Sequence, residues 1–326
     1  MNIAMPHKSS DYVIYFIMWK KITSVTIVLL FISILLHPSI IAEGASDGLK
    51  LWLEAVIPAL LPFMIISNII IMSGIAGDMN FIMFPLAVLL RISPDASYCI
   101  ISGLLFGYPS CAVSACSMYS RGMLDRATAE YCICCFNNIS PAFVAGYFCT
   151  SIIHNPKITG AVLGIFYSVT LISAVILRYT VFGKLITQSQ ATAVMPKKSG
   201  KLPDSAIMSS LINIGKIGGY IIIFSIICKA LSSIGFPAPF GQIICSVTEI
   251  TTGLKNLGNL GLPASKLLML GIPLLHFGGL CGMFQTFGVD TMSIISKKKY
   301  IFSKTVTLIL SGLITYLAVY VLKITG

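Results

Sequence analysis

The sequence predicts an all-α polytopic membrane protein built of two inverted repeats, each with a re-entrant, broken helical hairpin. Three observations lead there. Hydrophobic residues make up 56% of the 326-residue chain, charged residues only 10%, and mean hydropathy is +0.92. Soluble globular domains carry about 25% charged residues, so this chain lacks the polar surface to dissolve. Several apolar runs approach the roughly twenty residues that a bilayer-crossing helix needs, and in each half one such run is interrupted by Gly or Pro. This composition excludes nucleic-acid-binding domains, soluble dinucleotide-binding enzymes and disulfide-stapled secreted folds.

Taken in order, residues 1–50 hold a basic N-terminal segment (Lys8, Lys20, Lys21) and a first span, Ile22–Ile41. The span is read as uncleaved: it is long, and Ile40 stands where a signal-peptide cut needs a small residue. Ala55–Ala76 is the second span, entered through Pro58 and Pro62. Phe81–Ile92 is too short to cross upright and reads as an interfacial helix. Ser97–Tyr119 follows, broken at Gly107-Tyr108-Pro109-Ser110, and then Ala127–Thr150 and Ile158–Phe182. The polar stretch 183–205, with Lys184, Lys197, Lys198 and Lys201, divides a first repeat (51–182) from a second (206–326). The second repeat offers the span Ala206–Ile234, a short segment Pro239–Gly253 containing Glu249, the run Leu267–Gly288 interrupted at Gly278–Gly282, and the span Ile301–Leu322.

Basic residues are kept on the cytoplasmic side of membranes. With the N-terminus and the 183–205 linker both cytoplasmic, Ala55–Ala76 runs inward and Ala206–Ile234 outward, which inverts the halves. That inversion holds provided each broken segment, Gly107–Ser110 in the first half and Gly278–Gly282 in the second, re-enters on its own side. One observation dissents: Lys297, Lys298 and Lys299 fall outside in that arrangement, and if Leu267–Gly288 crosses fully that objection disappears and so does the symmetry. The net charge of +11, from 22 Lys plus Arg against 11 Asp plus Glu, suits topology and anionic headgroups and is compatible with an anionic substrate.

A Gly or Pro inside a membrane segment frees backbone N–H and C=O groups that hydrocarbon cannot satisfy, so such backbone must be buried in protein or face a wet cavity. At Gly107, Tyr108, Pro109 and Ser110, one half-helix ends and another starts. The new start presents free N–H groups and a positive dipole end, which suit a carboxylate. Gly278 and Gly279, with Gln285 further along, form a second such break; matching breaks in two halves point to a transporter site. Asn137 and Asn138 lie in an apolar span before Pro141, where a solute site and an interhelical hydrogen bond are both open. Glu249 is the only carboxylate in its apolar neighbourhood, with coupling and structural ion-pair roles open. Lys216 lies about ten residues into its span and is a candidate to pair with Glu249 or attract an anion. The ten cysteines, seven of them between Cys99 and Cys149, lack the spacing of a zinc site and read as small packing residues. His154 and His276 read as ordinary loop and packed histidines. No catalytic triad, phosphate loop or metalloprotease motif stands out, so no enzyme, cofactor or metal is expected.

Several of these segments resemble YlbJ-type sporulation integral membrane proteins. They are Trp52 through Pro58, Pro62 and Phe63; Ser102-Gly103 through Gly107–Ser110; Phe136-Asn137-Asn138 through Pro141; and His154-Asn155-Pro156. Ile217-Gly218-Gly219-Tyr220, Glu249 through Gly253, and Phe277-Gly278-Gly279-Leu280 complete the set. The ordered set covers nearly all of the chain from Leu51. The chain departs at Lys216, where an apolar residue is expected, and at Cys111, where Gly is frequent. The resemblance implies a nucleoside-recognition (Gate) domain and the two-hairpin fold of concentrative nucleoside transporters. It also implies a role in moving dipicolinate, a planar dianion, across the outer forespore membrane of a spore-forming bacterium. The expected partners are a small carboxylated metabolite and the lipid bilayer, with no nucleic acid and with homo-oligomerisation left open. A nucleoside or nucleobase carrier and a non-transporting spore-assembly scaffold are the alternatives.

Overall fold

Residues 37–73, 75–78, 81–82, 84–183 and 202–322 are described by a computed structural model, and helix is the only regular structure among them. In chain order the helices are α1 (Pro38–Leu51), α2 (Ile57–Ser73), α3 (Ile75–Asp78), α4 (Phe84–Leu90), α5 (Ser97–Phe106), α6 (Ser110–Ser120) and α7 (Arg126–Phe136). After a π-helix (Phe143–Ile152) come α8 (Thr159–Thr180), α9 (Leu202–Ser233), α10 (Phe240–Thr248), α11 (Ile250–Gly258), α12 (Ala264–Phe277), α13 (Gly279–Val289) and α14 (Lys297–Leu322). Among the described residues four stretches are long and apolar enough to cross a membrane: Pro156–Thr180, Pro203–Ser233, Ala264–Val289 and Lys297–Val321. The span expected over Ile22–Ile41 lies outside the described residues except at its C-terminal end, and so does most of the 183–205 linker.

Helices α1 and α2 join through a π-helical turn, Trp52–Val56. A proline at position 58 has no N–H for the carbonyl four residues back, and its ring crowds that oxygen. The wider π turn, in which the Ile57 N–H reaches back to the Trp52 carbonyl, absorbs the mismatch. The joined helices lie antiparallel along α9. Gly44 faces Ile226, Gly48 faces Ile222, and the Trp52 ring fills the space over Gly218, the small-residue contact by which membrane helices approach closely. Trp52 Nε1 donates to the Ile214 carbonyl at 3.1 Å and Asn68 Nδ2 to Ser210 Oγ at 3.0 Å.

Helix α4, at seven residues about 10 Å long, cannot cross a bilayer. Its freed C-terminal carbonyls are taken by the end of α8: Arg178 donates to Leu90 and Arg91, and Tyr179 to Leu89.

Two helix pairs fold back on themselves. Helices α5 and α6 turn at Gly107–Pro109, placing Cys99 Sγ 3.5 Å from Met118 Sδ. A Cβ on Gly103 would stand 3.0 Å from that of Cys111. Helices α10 and α11 turn at Glu249 so tightly that a Cβ on Gly253 would lie 2.1 Å from the Ser246 backbone. At nine residues each, about 13 Å, neither arm spans a bilayer alone. The fold-back of the second half is therefore at Glu249, not at Gly278–Gly282 as the sequence suggests. Gly278 caps α12 in the left-handed conformation, its N–H bonded to the Leu274 carbonyl, and the chain continues onward as α13.

The second half thus holds an interrupted helix, α12–α13, whose counterpart is α7 followed by the open stretch 137–140 and the π-helix. These two run antiparallel. Arg126 donates to the Ser293 carbonyl at 2.6 Å, Asn137 to Thr286 at 2.8 Å, and the Phe148 ring covers Gly271. Outside them α8 and α14 are antiparallel too: Lys299 Nζ lies 5.1 Å from the Phe182 ring, and Phe166 and Ser311 both meet His276. Lys299 also pairs with Glu130 at 2.6 Å, so Lys297–Lys299 sit at the end of the bundle that carries Arg126. Helices α12 and α13 continue as one stretch long and apolar enough to cross a membrane, Ala264–Val289; a crossing there removes the dissent raised by these lysines, and with it the symmetry that paired Gly107–Ser110 with Gly278–Gly282.

Adding a side chain at Gly253 forces the α10–α11 hairpin apart. Gly253→Leu should cost about 1–3 kcal/mol of stability, whereas Gly164→Ala, which meets open space on α8, should be neutral or stabilising by up to about 1 kcal/mol. Thermal unfolding in detergent checks the pair; equal melting temperatures would remove the hairpin packing.

Candidate functional site

Between the two hairpin tips lies a cavity of about 320 Å³, at the lower end of the roughly 300–1,000 Å³ usual for small-molecule sites. Tyr108 comes from the first tip, and Glu249 and Thr251 from the second. Ile139, Ser140, Ala142 and Phe143 come from one interrupted helix, and Cys281 and Gln285 from the other. Leu51, Val56, Leu60 and Ile221 close the side made by α1, α2 and α9. The wall is mostly apolar, with polar groups concentrated where helices start.

Tyr108 ties the halves together. Its hydroxyl donates to the Gly278 carbonyl at 3.1 Å, and its ring lies against Gly282, where a Cβ would stand 2.8 Å from ring carbons. Its N–H donates to the Asn138 carbonyl. Gly107 adopts φ +77°, and a Cβ there would meet the Ser140 N at 2.5 Å, so only glycine brings the tip this close to the open stretch. The second tip rests on Gly279, whose Cβ position is 3.4 Å from the Ile250 N.

Glu249 is 3% exposed. Its carboxylate accepts from the N–H groups of Thr251 at 3.0 Å and Thr252 at 2.7 Å, capping α11, and negative charge at a helix N-terminus is stabilised by the free N–H groups and the dipole. Glu249 takes part in neither of the ion pairs among the described residues, Lys229–Glu43 and Lys299–Glu130. Among the described residues it is also the only Asp, Glu, Lys, Arg or His on the cavity wall. The start of the π-helical arm is capped similarly, Ser140 Oγ accepting from the Phe143 N–H at 3.2 Å, while Tyr147 OH donates to the Thr251 carbonyl at 2.7 Å.

The structure brings together Tyr108, Glu249 and Gln285 on the wall, with Gly107, Gly278 and Gly279 shaping the contacts behind them. Pro109 precedes α6 as its cap residue, and Ser110 is buried with its hydroxyl unpartnered. Asn137 and Asn138 stand behind the cavity. Asn137 Nδ2 donates to Thr286, Asn138 Nδ2 to the Cys135 carbonyl, and both residues accept from Lys304. Lys216 is elsewhere: it is exposed on α9, with Nζ 3.5 Å from the Gly288 carbonyl, and does not reach Glu249. All ten cysteines are buried and unpaired. Sequence reasoning missed Lys304; its signal is a single charge inside the last apolar span.

The ring of Tyr108 and the bare face of Gly282 are energetically coupled. Gly282→Ala should cost about 1–3 kcal/mol in the native background and much less in Tyr108→Ala. The double-mutant cycle in thermal unfolding should give a coupling of about 0.5–3 kcal/mol; additive losses would mean the two do not touch.

No protein-family model matches the chain, and no solved structure matches it. Among curated proteins it is similar to the sporulation integral membrane protein YlbJ of Bacillus subtilis (strain 168), 25% identical over 221 residues. The aligned part makes up 61% of this chain and 54% of the relative, so the chain spans about half the length of the curated relative it matches. The similarity supports the YlbJ-like assignment made from the ordered motifs. The chain is an all-α, multi-pass integral membrane protein related to a sporulation integral membrane protein.

Proposed function

We propose that the protein is a membrane carrier, not an enzyme, for a small carboxylated metabolite. Dipicolinate (pyridine-2,6-dicarboxylate) is the specific candidate, moved across the outer forespore membrane during sporulation. The observation that carries the reading is the meeting of two oppositely directed hairpin tips, Tyr108 and Glu249, at one cavity between two interrupted antiparallel helices. In this reading the halves are inverted repeats and both hairpins are re-entrant, so that one tip opens while the other stays closed. The start of α13 reaches the wall through Cys281, and a helix start favours a carboxylate; the starts of α11 and the π-helix are already capped by Glu249 and Ser140. The sporulation name of the relative supports the setting.

A dianion beside Glu249 places like charges together in a low dielectric. Proteoliposomes should take up labelled dipicolinate, Glu249→Gln should lower KM for it by removing that repulsion, and Gln285→Ala should raise KM about tenfold, the loss of one charge-assisted hydrogen bond. Uptake equal to that of empty liposomes would count against dipicolinate and leave the nucleoside-carrier and scaffold alternatives.

One observation favours a second reading, a nucleoside or nucleobase carrier. The sole charged group on the wall is a carboxylate, which accepts from hydroxyl or amino groups of a neutral solute, with Phe106, Tyr108 and Phe143 beside it. Under that reading uridine or adenosine competes for uptake, dicarboxylates do not, and Glu249→Gln abolishes transport.

A further inference from the structure

Helix α7 ends at Phe136, and the chain runs open through 137–140 before the π-helical arm. The carbonyls freed there sit at the negative end of the α7 dipole. Lys304 of α14 fills this place. It is 2% exposed, and its Nζ donates to the Asn137 carbonyl at 2.7 Å and to Asn138 Oδ1 at 2.8 Å, with the Tyr300 ring centroid at 5.5 Å. It forms no ion pair among the described residues. Asn137 Oδ1, on a side chain with no exposure, has no partner. A backbone carbonyl, an amide oxygen, a helix C-terminal end and an aromatic face are what a monovalent cation takes as ligands where a membrane helix is unwound.

We infer that the Lys304 ammonium is a built-in counter-cation occupying an alkali-metal site at the break of the first interrupted helix. The wild-type protein therefore needs no sodium or potassium to hold that break, and removing the amine while leaving room creates a monovalent-cation site. The inference is independent of the transported solute, because the group it concerns lies behind the cavity wall.

The test is thermal unfolding of wild type, Lys304→Ala and Lys304→Met in sodium, potassium or choline chloride at equal ionic strength. Wild type should melt at the same temperature in all three salts. Lys304→Ala should melt lower in choline and regain stability in sodium or potassium. The gain should be saturable, about 2–4 °C at ten times the dissociation constant. Lys304→Met, which fills the space with an apolar chain, should be destabilised and indifferent to the cation. Should Lys304→Ala fail to fold in choline, recovery of folded protein on extraction in sodium or potassium counts as the same result. Lys304→Ser is read in parallel. Wild type stabilised by sodium over choline, or no cation rescue in either small variant, whether folded or unfolded, overturns the inference.

Discussion

Backbone groups released where a buried helix breaks must find partners inside the protein, and the rest of this structure follows from how that is done. The Gly278 carbonyl is met by the Tyr108 hydroxyl, the Asn138 carbonyl by the Tyr108 N–H, and the Asn137 carbonyl by Lys304. In the second hairpin, the first N–H groups of α11 are met by Glu249. Several of these partners come from the other half of the chain. The breaks and the hairpin tips are consequently one interlocked unit, and neither tip can move without exchanging partners.

That interlock also explains the chemistry of the cavity. Polar groups engaged at the breaks, such as the amide nitrogens of Asn137 and Asn138, stand behind the wall. What faces the cavity is the remainder: one carboxylate, the start of α13 at Cys281, Gln285 and several aromatic rings. Such a wall recognises a solute by shape and a few directed hydrogen bonds, with charge set by Glu249.

The membrane class, most helix positions and the breaks were legible in the sequence, because apolar length and Gly or Pro interruptions are local signals. The direction of the chain after a break was not. Gly107–Pro109 and Gly278–Gly279 look alike in sequence, yet one turns the chain back and the other carries it onward. The difference lies in how the chain leaves the glycine, extended at Gly107 (ψ −173°) and left-handed at Gly278 (ψ 3°), and in the packing of Gly103 against Cys111 across the first turn, which no single stretch reveals. Glu249 was legible as a lone carboxylate, although the segment around it was read as ending at Gly253, short of the full α11 arm. Lys216 was misplaced because its distance from a span end says nothing about which face of α9 it occupies. Lys304 was hidden by the lysines just before it, which read as a membrane-edge cluster.

The central claim is that the two hairpins point toward each other from opposite faces of the membrane. Single cysteines at Ser120, exposed at the base of the first hairpin, and at Lys255, exposed on the far arm of the second, can be probed with an impermeant maleimide against the low background of ten buried native thiols. In sealed vesicles of one orientation the account predicts that one position reacts while the other reacts only after the membrane is opened. Labelling of both positions from the same side would contradict it.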